Sequence, residues 1–64
     1  MNLQEKQFEK ILDELKLAIK MKNKQGINDC YDKAKKFDFF KISNALLKEY
    51  DELIDKGNLI LLQD

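Results

Sequence analysis

Arginine, histidine, proline, tryptophan, valine and threonine are all missing from this chain, and cysteine occurs once, at Cys30. Each absence closes a route. A lone thiol cannot form an internal disulfide and, with no signal-peptide pattern behind Met1, predicts a reducing cytoplasmic setting. Without histidine the usual general base is lacking for Ser43 and Cys30, which argues against nucleophilic catalysis. The same lack leaves too few sulfur and nitrogen ligands for a metal site. Asp29 with Asp32, and Asp51, Glu52 and Asp55, do not have the alternating ligands and central glycine of a calcium loop. Gly26 and Gly57 stand alone, so no phosphate-cradling loop is present. The sequence therefore offers no catalytic, cofactor-binding or metal-ligating residues. No apolar run approaches the roughly 18 residues of a membrane span, the longest being Leu59 to Leu62. A soluble protein with no membrane partner is expected.

Without valine or threonine, and with leucine, lysine, glutamate, isoleucine and alanine abundant, local preference runs toward helix and against sheet. The fold class predicted is all-α. Apolar residues Phe8, Ile11, Leu12, Leu15, Ala18 and Ile19 fall at steps of three and four, predicting a first helix over about 3–24. Gly26 is expected to end it in the left-handed conformation, with Ile27 folding back on Met21. Asn28 is the expected N-cap of a short second helix carrying Ile27, Cys30, Tyr31, Ala34 and Phe37. Asp38 is the expected break. A long third helix follows, with Phe39, Phe40, Ile42, Leu46, Leu47, Tyr50, Leu53 and Ile54 as its stripe and Gly57 as its stop. Residues 1–57 are thus read as a single helical bundle and residues 58–64 as an apolar C-terminal tail of undefined conformation.

Charge chooses between topologies. If Asp38 failed to break the chain, a two-helix hairpin would set Lys16, Lys20, Lys22 and Lys24 beside Lys33, Lys35 and Lys36. An up-down-up bundle instead brings the basic end of helix 1 alongside Glu49, Asp51, Glu52 and Asp55. The three-helix bundle is preferred, although exposed pairs are worth only about 0 to 1 kcal/mol each. A second helix of about ten residues spans about 15 Å, against 25 Å or more for its neighbours. The tail, a partner or a second copy is expected to cover what it leaves bare.

The segment SNALLKEYDELIDKGNLILL, Ser43 to Leu62, resembles the recognition helix, turn glycine and first wing strand of winged helix-turn-helix domains. That resemblance implies DNA binding, as a dimer. Two departures stand against it: the helix is acidic, and no second wing strand follows. Twelve lysines balance twelve acidic residues, so no general pull toward nucleic acid exists. Tyr31 followed by Ala34 is also similar to the second helix of tetratricopeptide units, whose other positions do not match.

What remains is more apolar surface than a thin bundle hides. The function expected is a small, non-catalytic protein-binding module: an adaptor, subunit or inhibitor of the kind phages and mobile elements encode. It would dock through helix 3 and the tail on a larger protein or on its own copy. Phe40 and Tyr50 are the expected aromatic anchors, Glu49 and Glu52 the acidic contacts, and Leu59, Ile60, Leu61 and Leu62 the apolar contribution of the tail.

Overall fold

Asn23, Asp38 and Ser43 decide where this chain turns. In the computed structural model, which describes residues 3–63, each lends a side-chain oxygen to a backbone N–H that a helix start leaves without a partner. The Asn23 side chain accepts from Gly26 at 3.0 Å, Asp38 from Phe40 at 3.0 Å, and Ser43 from Leu46 at 3.4 Å. The elements that follow are α1 (Leu3–Lys20), α2 (Lys24–Ala34), a 3-10 turn at Phe39–Lys41 and α3 (Asn44–Leu61). Among the described residues there is no strand, so the wing implied by the winged-helix resemblance is not formed.

The helices run up, down and up. Glu14 pairs with Lys33 and the Phe8 ring meets Phe37, which sets α2 antiparallel to α1. Tyr31 reaches Ile54 and Asn58 while Lys24 bonds the Gln63 carbonyl, which sets α3 antiparallel to α2. Parallel α1 and α3 are then joined by the Lys16–Glu49 ion pair, one instance of the charge match expected for this topology. The hairpin alternative does not form, because the chain breaks after Ala34.

Both glycines act differently from expectation. Helix α1 ends at Lys20, and Lys22, not Gly26, takes the left-handed conformation at φ 54°. The Lys22 N–H returns to Ile19 O at 3.1 Å and the Asn23 N–H to Ala18 O at 2.9 Å, a Schellman closure. This early stop lets α2 begin at Lys24, with Asn23 rather than Asn28 as its cap, and directs Ile27, Cys30 and Ala34 inward. Gly26 lies in the first turn of α2, where a methyl would stand 3.0 Å from the capping Asn23 side chain and 3.2 Å from the Ala18 Cβ. Its role is to let α1 and α2 approach.

Gly57 does not stop α3 either. The helix runs through it to Leu61, so most of the expected tail is helical. A methyl at Gly57 would collide with the Tyr31 hydroxyl and sit 3.2 Å from Ile27 Cγ2. Glycine costs about 1 kcal/mol inside a helix, and here the cost is offset by the room it leaves for the Tyr31 and Ile27 side chains. Across the gap the single proton of the Tyr31 hydroxyl is shared between Ile54 O and Asn58 Oδ1, each at 3.1 Å.

Phe8, Leu12, Leu15 and Ile27 are the largest fully buried side chains. Around them lie Ile11, Ala18, Cys30, Ala34, Ile42, Tyr50, Leu53 and Ile60. Helix α2 has 11 residues against 18 for each of its neighbours, roughly 16 Å against 27 Å. The linker, rather than the tail, fills the shortfall. Phe8 packs edge-to-face on Phe37 at 5.4 Å, on Phe39 at 6.0 Å and on Tyr50 at 5.4 Å, and Phe39 meets Tyr50 at 5.9 Å. Such edge-to-face pairs contribute about 0.5–1.5 kcal/mol each beyond their buried area.

Candidate functional site

The segment between α2 and α3 is pinned at both ends, and the pinning decides which aromatic ring is left outside. At its start Asp38 holds the Phe40 N–H through its carboxylate, and its carbonyl takes the Lys41 N–H at 2.9 Å. At its end the Ile42 N–H bonds Phe39 O at 3.2 Å, and Ser43 caps α3. Within one tight turn Phe39 points at Phe8 and Tyr50, Ile42 is buried, and Phe40 stands wholly in solvent at 102% exposure. Beside the Phe40 ring runs a shallow groove lined by Phe39, Ile42, Asn44 and Leu47. A partner side chain laid there would meet three apolar walls and one amide.

The other expected contact residues do not join Phe40 in one patch. Tyr50 is 5% exposed and belongs to the aromatic cluster, so it offers no anchor at the surface. Burial pushes its phenol above the ordinary value. Glu49 is half-buried and engaged with Lys16; that hydrogen bond is the main cause of the raised Lys16 pKa. Because α3 continues past Gly57, the run Leu59 to Leu62 divides by face. Ile60 is buried and Leu61 half-buried, whereas Leu59 and Leu62 are 66% and 81% exposed. Glu52 is exposed two turns before Leu59. Leu59 therefore lies far from Phe40, about 18 Å along the axis from Leu47.

A third exposed region was missed in the sequence. Leu17 and Met21 are 57% and 69% exposed on α1, at the mouth of a depression of about 240 Å³ between α1 and α2 that is floored by Ala18, Gly26 and Cys30. The signal was present. Leu17 stands half a turn around α1 from Phe8 at about 100° per residue, so it could not share the inward stripe. Cys30 is buried at that floor, and burial is the first cause of its raised thiol pKa. Among the described residues no group of three His, Cys, Asp or Glu side chains is placed to hold a metal ion. Among the described residues, too, no helix is long and apolar enough to cross a membrane.

Comparison of the chain with protein-family models, with curated proteins and with solved structures finds no match.

Proposed function

We propose that this chain is a non-catalytic protein-binding module that docks on a larger protein through the corner Phe39–Leu47, with Phe40 as its anchor. One observation carries the reading: Phe40 is fully exposed on a turn whose backbone is fastened from both sides. Single exposed apolar residues are common on small proteins. A phenylalanine held rigidly beside an apolar groove differs from them, because it binds without the entropy loss of ordering a loop. Covering a Phe ring is worth about 1.5–3 kcal/mol, enough to make one residue dominate a modest interface. Leu59 and Leu62 at the other end of α3, with Glu52 two turns before Leu59, supply a second, separate contact area. Adaptor, subunit and inhibitor roles all use such a surface, and the partner sets which applies.

Affinity capture from the native host tests this, with the whole chain compared with Phe40→Asp and with Leu59→Asp. We expect Phe40→Asp to lose the recovered partner and Leu59→Asp to weaken its recovery. Equal recovery by wild type and Phe40→Asp would remove the corner from the interface.

A further inference from the structure

The outward side of α1 carries a stripe at alternating steps of four and three residues: Leu3, Gln7, Lys10, Glu14, Leu17 and Met21. All six are exposed. Met21 stays on the helical path, since its N–H bonds Leu17 O at 3.0 Å. This is the spacing by which one helix presents a seam to another, and α2 borders it on one side, where Lys33 pairs with Glu14.

We infer that this face pairs with the same face of a second copy, the two α1 helices antiparallel about a two-fold axis between Lys10 and Glu14. The order of residues selects the partner. Turned end for end, the stripe matches itself: Leu3 meets Met21 of the second copy, Gln7 meets Leu17, and Lys10 meets Glu14, each contact occurring twice. Leu3 of the second copy is then carried to the depression lined by Leu17, Ala18, Met21, Gly26 and Cys30. A parallel pairing would set Lys10 on Lys10 and Glu14 on Glu14. The outer face of α3 fails the same test, because its antiparallel self-pairing sets Asp51 against Asp55 of the second copy.

Two features keep the dimer weak. A seam about 27 Å long buries less than the roughly 1,200 Å² of a standard interface. At its rim Lys6 faces Lys20 of the second copy, and Asp13 faces its own equivalent. A dissociation constant on the order of 10–100 µM is expected. This surface is separate from the Phe40 corner and does not depend on it.

Sedimentation equilibrium of the full chain, from about 10 µM to 1 mM, tests the pairing. Wild type should be a monomer–dimer mixture. Lys10→Glu and Glu14→Lys should each weaken the dimer about tenfold or more, since each sets like charges together twice. The double variant K10E/E14K should recover it to within about threefold. Leu17→Lys should leave a monomer, and Phe40→Asp should leave the dimer intact. Circular dichroism checks that each variant keeps its helices, which the exposed positions allow; for Glu14→Lys, which also loses the Lys33 pair, the double variant decides. A wild type that stays monomeric at about 1 mM would overturn the proposal. So would a double variant no tighter than the singles, or a dimer abolished by Phe40→Asp.

Discussion

The two ends of α2 close the core by opposite means. Along its length, glycines make room for side chains: Gly26 admits Ala18, and Gly57 admits Tyr31 and Ile27. Beyond its end no helix remains, and four rings, Phe8, Phe37, Phe39 and Tyr50, fill the space. A short helix between two long ones is therefore accommodated by removing side chains where it is present and enlarging them where it is absent. Tolerance should differ accordingly. The ring end fails by losing volume, and the glycine end fails by gaining it.

The largest expected effect is at the ring end. Phe8→Ala deletes the ring shared by three of the four aromatic pairs and should cost about 3–5 kcal/mol. Since a core of this size supplies about that much in total, urea titration should find the variant largely unfolded in buffer. A cooperative transition within about 1 kcal/mol of wild type would show that the rings are padding only.

Next comes the glycine end. Gly57→Ala should destabilise by about 1–3 kcal/mol despite alanine's better helix propensity. The Tyr31→Phe background removes the hydroxyl that the methyl would strike, so the alanine should cost less there. Additive effects in a double-mutant cycle would mean that the two sites do not touch.

A more gradual loss is expected at alkaline pH. Tyr31 and Tyr50 are raised above 10.0 and Cys30 above 9.0, all chiefly by burial, and Lys16 is raised above 10.5, chiefly by its hydrogen bond to Glu49. Each group holds its proton more tightly in the folded chain, so its contribution is complete below the ordinary value and lost as pH rises through the raised one. The urea midpoint should hold from neutral pH to about 9 and fall above it. Tyr31→Phe should make the fall shallower.

The smallest effect on stability belongs to Phe40. Phe40→Asp should change it by less than about 0.5 kcal/mol, as expected for a side chain wholly in solvent. A melting temperature several degrees lower would show that the ring supports the fold after all.

Most of the architecture was legible because it is periodic. The inward residues of α1 and α2, the break after α2 and the up-down-up order all follow from spacing and charge. The helix boundaries were not legible, since they depended on choices among similar residues. Asn23 and Asn28 are both good caps, and only tertiary packing selects Asn23. Gly26 and Gly57 both read as stops because glycine is the usual C-terminal residue; the need to leave room for side chains of a neighbouring helix, which overrides that preference, appears only once the helices are packed. Of the expected contact residues, Phe40, Glu52, Leu59 and Leu62 are on the surface. Tyr50 is buried because it lies on the same inward face as Leu53, and Ile60 because α3 continues past Gly57 and carries that face, at steps of three and four, through to its end.

The described chain measures 40 × 17 × 16 Å. A rod this slender has no inner layer, since each core side chain lies one residue from water. No helix pair would retain a dry interior after the third departs, so partial opening offers little that is not also complete opening. Amide protons of all three helices should therefore exchange with solvent at nearly one common rate, governed by the same rare event. The molecule should behave as a single switch between folded and unfolded, with no stable fragment in between.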